Sequence, residues 1–222
     1  FTTGYPGYYS IGGIIMTKLL TIVGAGAVCL MASTVFAGEG KPYVGLSAGV
    51  AIMSDSTLTD NTGGSIKISY NSGYALSGVA GYEFGNGLRL EGEVNYRQAS
   101  MNKVSAVGLT VDISSDVWSV GMMTNAYFDI KNSSPVTPYV GGGIGFANVN
   151  VGDGTINGIR IWSKADDTVF AYQAAVGVGF EVTKELIFDA GYKYFGTQDP
   201  KFELAKADYG SHNFMLGLRY RF

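Results

Sequence analysis

Hydrophobic and polar positions alternate with period two along eight short stretches of this chain, at 42–52, 74–84, 88–97, 117–129, 137–149, 170–182, 185–195 and 213–222. Beyond residue 38 no helical period of any length is present. In the first stretch Val44, Leu46, Ala48, Val50 and Ile52 share a face. In the third, Leu88, Leu90, Val94 and Tyr96 oppose Arg89, Glu91, Glu93, Asn95 and Arg97. The last runs to the final residue, with Phe214, Leu216, Leu218, Tyr220 and Phe222 opposite Asn213, Met215, Gly217, Arg219 and Arg221. Side chains alternate faces in a strand, so this pattern predicts eight amphipathic strands.

The connections between them alternate in length. After the second, fourth and sixth strands they are short (85–87, 131–136, 183–184). After the first, third, fifth and seventh they are long and rich in Ser, Thr, Asn, Asp and Gly (roughly 53–73, 98–116, 150–169, 196–211). Short turns at one end and long loops at the other are the mark of a membrane-spanning barrel. A soluble barrel would turn the apolar face inward around a ligand. Aromatics at the strand ends of that face (Tyr74, Phe84, Tyr96, Trp118, Phe128, Tyr194, Phe222) instead suit the two interfacial belts of a bilayer. The fold class expected is therefore all-β, an eight-stranded antiparallel up-and-down transmembrane barrel. Closure requires the last strand to pair with the first, because an open edge in hydrocarbon leaves backbone groups unbonded.

Composition agrees with that picture. Only 15% of the 222 residues are charged, with 33 glycines and 13% aromatics, against about 25% charged in ordinary soluble domains. The formal net charge of −3 offers no basic surface for nucleic acid. The segment from Met16 to Ala37 has a basic start at Lys18, an apolar core over about 19–31 and small residues near its end. It reads as a secretory signal peptide, too short in its core to span a bilayer. Residues 1–15 precede that methionine and read as translated upstream sequence outside the fold. The barrel is expected over 38–222. Cys29 would leave with the leader, so no disulfide framework is expected. With Lys18 also gone, 14 bases and 18 acids remain, a net charge of −4.

The stretches "TPYVGGGIGFA", "FAYQAAVGVGFEVTKELIFDAGYKYF" and "RYRF" resemble the eight-stranded outer-membrane barrel and surface-antigen family of Gram-negative bacteria, the "porin family" that includes opacity-like and OmpA-like barrels. The resemblance spans most of 38–222. The ending is also similar to the C-terminal assembly signal of bacterial outer-membrane proteins, matched here by Gly217, Tyr220 and Phe222, with Met215 where that pattern usually has a polar residue. These resemblances imply an integral protein of the Gram-negative outer membrane, exported by a cleaved signal. They also imply contact with outer-membrane lipid and lipopolysaccharide, and with the barrel-assembly machinery through the last strand. A host or surface ligand would be met by the long loops.

By alternation, Glu83, Arg89, Glu91, Glu93, Arg97, Asp129, Glu181, Asp189, Lys193, Arg219 and Arg221 face the lumen. An eight-stranded barrel is only wide enough to be filled by its own side chains, so these charges are expected to pair and plug it. The expected role is a non-enzymatic surface antigen or adhesion-type anchor. The alternatives are a narrow channel for ions or small solutes, and a lipid-modifying enzyme built on Ser211 and His212. Adjacent strand residues face opposite sides, which argues against such a dyad. Asp166-Asp167 reads as a solvated loop pair, and Ile159, Ile161 and Trp162 as a contact surface or packing over the mouth. No phosphate loop, nucleotide fingerprint or metal-ligand cluster is present, so no cofactor or metal is expected.

Overall fold

A computed structural model describes residues 40–59, 65–106, 109–156, 159–198, 201–202, 205–206 and 209–222. The expected leader and the residues before it lie outside the described residues. Eight long strands make the wall: β1 (Lys41–Met53), β2 (Gly73–Glu83), β3 (Leu88–Ala106), β4 (Leu109–Asp129), β5 (Val136–Val151), β6 (Ala165–Glu181), β7 (Leu186–Thr197) and β8 (Gly210–Arg221). Each pairs antiparallel with the next in sequence. The last returns to the first, from Tyr43 opposite Arg221 to Met53 opposite Ser211. No edge of this wall is left open, as a bilayer demands.

The turns at one end are built by local chemistry. Between β2 and β3 the Asn86-Gly87 pair closes the hairpin, with Gly87 at φ +93°, a backbone state that glycine adopts at little cost. The amide of Leu88 donates to Asn86 Oδ1 at 3.0 Å. Between β6 and β7, Thr183 Oγ1 accepts from the amides of Glu185 and Leu186.

At the other end the strands run farther than the alternation indicated. β3 and β4 continue through most of 98–116, expected as loop, with pairing from Met101 opposite Ser115 to Ala106 opposite Leu109 after one register shift. Short paired strands also occupy the other long connections: Ser56–Thr59 with Ser65–Tyr70, Gly154–Ile156 with Ile159–Trp162, and Lys201–Phe202 with Ala205–Lys206. Hairpin pairing satisfies backbone groups whatever the side chains are. Above the bilayer, alternation is not needed to hold a strand.

The two faces are inverted relative to a soluble protein. Leu46 is 75% exposed and Phe222 67%, whereas Arg89 and Arg97 are each 2% exposed. Apolar side chains stand outward around the whole wall. Aromatic clusters band it at two levels: Tyr74, Tyr96 and Trp118 toward the long hairpins, and Tyr82 with Phe84 and Tyr220 with Phe222 toward the short turns. These are the amphipathic rings a membrane interface collects. Tyr74 and Tyr96 both donate to Gln98 Oε1, at 2.9 and 2.7 Å, which gives that polar amide partners on the lipid side.

Candidate functional site: the barrel lumen

Because β3 turns its odd-numbered residues inward, Arg89, Glu91, Glu93, Asn95 and Arg97 form one ladder up the lumen. Facing strands supply the rungs. At the short-turn end Arg89 Nε lies 2.9 Å from both oxygens of Asp129, and its Nη1 is 3.8 Å from Glu91. Tyr43 donates to Glu91 Oε2 at 2.7 Å. The Arg89 guanidinium also lies 4.8 Å from the ring centre of Tyr127 and 5.1 Å from that of Tyr139. On the opposite wall Arg219 holds Asp189 in a two-point pair at 2.5 and 2.9 Å. Arg221 reaches Glu83 at 2.9 Å and Glu181 at 3.7 Å.

Halfway up, Glu93 is the centre of the network. Its Oε2 accepts from Lys193 at 2.9 Å, Gln173 at 2.9 Å and Asn125 at 2.8 Å, and its Oε1 from Asn95 at 3.1 Å. Gln173 also donates to Asn125 Oδ1 at 2.6 Å. A buried carboxylate with a cation and several neutral donors is compensated, which the low dielectric of such an interior requires. Room for these large side chains comes from the glycines of β5 and β6. A Cβ on Gly143 would collide with the Asn125 side chain, and one on Gly177 with the Tyr139 ring.

Above Glu93 the chemistry changes. Arg97 Nη1 donates to Asn95 Oδ1 at 2.5 Å, while its guanidinium lies 3.8 Å from the ring centre of Phe195. Phe195 is wholly buried and meets Tyr209 edge-on at 6.3 Å. Around them Met53, Ala99, Met101, Val117, Met123, Ala147, Val149, Val169 and Ala171 pack as one cluster. Tyr209 reaches into it from the segment before β8 and shares a 2.9 Å hydrogen bond with Ser119. The outer half of the lumen is thus a greasy seal resting on a cation.

Of the lumen charges expected from alternation, ten stand inside the wall, nine in the ion pairs just given and Arg97 against Asn95 and Phe195. Glu181 is at the rim, with its side chain 45% exposed, because β6 ends there. Sequence reasoning passed over the neutral members. Asn95, Asn125 and Gln173 lie on the predicted inward face, so parity alone could have nominated them. The seal was hidden because Ala99, Met101 and Phe195 lie at or beyond the limits where alternation was traced.

The other candidates do not assemble. Ser211 points inward, wholly buried beside Asn213. His212 points outward, its Nδ1 2.6 Å from Tyr192 Oη and its ring against those of Tyr192 and Tyr194 level with the belt. Asp166 takes a 3.3 Å contact from Asn148 Nδ2. The side chains of Ile159, Ile161 and Trp162 lie outside the described residues. At the end of the chain Tyr220 and Phe222 face lipid, and the Phe222 amide donates to Pro42 O at 3.0 Å. A Cβ on Gly217 would collide with Ser47 and Leu46 O of β1.

The model of a family described as the outer membrane protein beta-barrel domain matches residues 20–222. The chain is 30% identical over 193 residues to outer membrane protein PagN of Salmonella typhimurium, across 75% of this chain and 77% of that one. It is 25% identical over 185 residues to major surface antigen 4 of Anaplasma marginale, spanning 67% of this chain and 61% of that relative. Among solved structures, Neisserial surface protein A superposes with a TM-score of 0.54 at 25% identity, across 82% of this chain and 97% of that one.

Proposed function

This chain belongs to the outer membrane protein beta-barrel domain family, and from that premise we propose that it is a closed anchor for surface hairpins, serving a structural or adhesion-type role. It is an integral barrel of the Gram-negative outer membrane. The observation that carries the closed reading is the pairing of two fillings in one lumen, the Glu93 network and the Phe195–Tyr209 cluster above it. Along the second a hydrated ion meets mostly apolar side chains, with Ser119 and Tyr209 bonded to each other and Arg97 against Phe195, so passage would require desolvation in a largely apolar constriction. That leaves the hairpins beyond the membrane as the part that meets other molecules. A likeness to PagN and to a surface antigen supports the same direction. The short-turn end faces the periplasm in this reading, and the final strand with Gly217, Tyr220 and Phe222 addresses the chain to the assembly machinery.

Conductance of the purified, folded protein in a planar bilayer tests closure. The expected record is flat at both polarities. Steady unit currents that scale with salt concentration would replace this reading with that of a narrow channel. Binding of hairpin-deleted barrels to host cells or surface polymers tests the other half, with loss of binding and an unchanged fold expected.

A further inference from the structure

The inner half of the lumen is filled with charges, yet it is not solid. A cavity of about 60 Å³ is lined there by Ser47, Ser77, Tyr127, Tyr139, Met215 and Arg219 among others. A water needs at least about 10–15 Å³ of such volume, so about four fit. Two of the lining side chains carry buried polar atoms with no hydrogen-bond partner, Tyr127 Oη and Arg219 Nη1. Gln173 Oε1, higher up, is a third. Buried polar groups of this kind are normally satisfied, by ordered water where protein does not reach them.

The charges offer no reason for an ion. Arg89, Arg97, Lys193, Arg219 and Arg221 equal in number Glu83, Glu91, Glu93, Asp129 and Asp189 inside the wall, with all but Arg97 in ion pairs, so these charges balance without a guest. Exposure of the paired side chains is greatest on the β6–β8 side of the lumen. It is 45% at Glu181 and 16% at Arg221 on the rim, and 16% at Asp189 and 13% at Lys193 beside the cavity, against 3% at Arg89 and 5% at Asp129 across from them. In the seal Phe195 has none.

We propose that the inner half of the lumen is a water-filled vestibule, open to solvent at the periplasmic end and stopped at the Phe195–Tyr209 seal. It binds a small cluster of ordered waters that complete the hydrogen bonding of Tyr127 and Arg219. The inference rests on the closed reading of the lumen and adds that closure is one-sided. Lumen charges below the seal then exchange protons and water with the periplasm and not with the cell exterior.

Methionines along the axis form a built-in probe. Met215 lines the cavity and is 7% exposed, while Met101, Met53 and Met123 sit in the seal at 7, 6 and 4%. Ordinary burial does not separate them, but contact with water does. Radiolytic hydroxyl-radical labelling of the full folded chain in lipid nanodiscs generates radicals from nearby water, read residue by residue in a mass spectrometer. Met215 and Tyr127 are expected to be oxidised, with Met53, Met101, Met123 and Phe195 protected. The urea-unfolded chain, in which all four methionines react, sets the scale. Met215 as protected as Met123 would overturn the vestibule and leave the closed lumen standing. Met53 and Met123 oxidised as heavily as Met215 would overturn closure itself. Filling the cavity with Ser77→Leu should abolish labelling of Met215 in barrels that keep their boiling-dependent gel shift. Labelling that persists in such barrels would refute the cavity as its source.

Discussion

Around Glu93 the lumen is filled by groups that must each find a partner: Lys193, Gln173, Asn125 and Asn95 converge on one carboxylate. Farther out along the same ladder of β3, Met101 and its neighbours Val149 and Phe195 need only volume. Both regions close a tube of the same width, built from the same strands. The difference lies in how they tolerate error. In a polar network every donor removed leaves an acceptor unsatisfied in low dielectric, so the cost is set by what remains. In an apolar cluster the cost is set by what leaves, the lost contacts and the cavity behind them. The inner half therefore depends on which side chains face one another, and the outer half on how much apolar volume they fill.

The largest effect expected from this contrast is at Arg219. Arg219→Glu would set a carboxylate against Asp189, now held at two points, and should lower the stability of the folded barrel by about 3–5 kcal/mol. Urea titration in lipid vesicles, followed by the gel shift between folded and boiled forms, measures it. A loss no larger than that of a loop charge reversal would break the assignment of this face to the interior. In the seal, Met123→Ala should cost about 2–3 kcal/mol, and its signature is a leak: radical labelling of Met53 should rise with little change at Met215. Stability lost with no new labelling would mean the seal has collapsed on the gap.

A sharper test replaces a pair. Arg89→Met with Asp129→Leu removes both partners of the 2.9 Å contact and should cost less than the sum of the two single substitutions, because neither member of that pair is left facing a lost partner. Glu91 loses its 3.8 Å cation in either case that removes Arg89. Additive losses would show that each charge serves a different neighbour, Arg89 through the Tyr127 and Tyr139 rings. The smallest effect expected is at the surface. Lys164→Glu lies on an exposed loop residue and should move stability by less than about 0.5 kcal/mol.

How far the alternation could be followed determined what could be foreseen. Arg219 and Asp189 sit in strands whose outward partners, Leu218 and Phe188, are strongly apolar, so their inward direction followed from parity. Their pairing did not, since β7 and β8 place Asp189 opposite Gly217 and not opposite Arg219. The two side chains meet diagonally across the register. Phe195 and Tyr209 were harder still. Phe195 ends the seventh alternating stretch on the polar side of the pattern, and Tyr209 lies in a connection with no period at all. Nothing local marks an aromatic as inward when its strand neighbours Tyr194 and Gly196 carry no contrast.

What the amino-acid order determined by itself was therefore the architecture and its solvent. A period of two, repeated eight times with alternating short and long connections, leaves a closed strand wall with its apolar face to lipid as the arrangement that satisfies every backbone group. The contents of the lumen were decided only in three dimensions. Inward side chains come from eight strands whose relative heights are set by register and tilt, so Glu93 meets Lys193, a hundred residues away, and Arg97 meets Phe195. A one-dimensional pattern records the face on which a residue stands. It does not record its height in the barrel, and in this lumen height separates a charge network from an apolar seal.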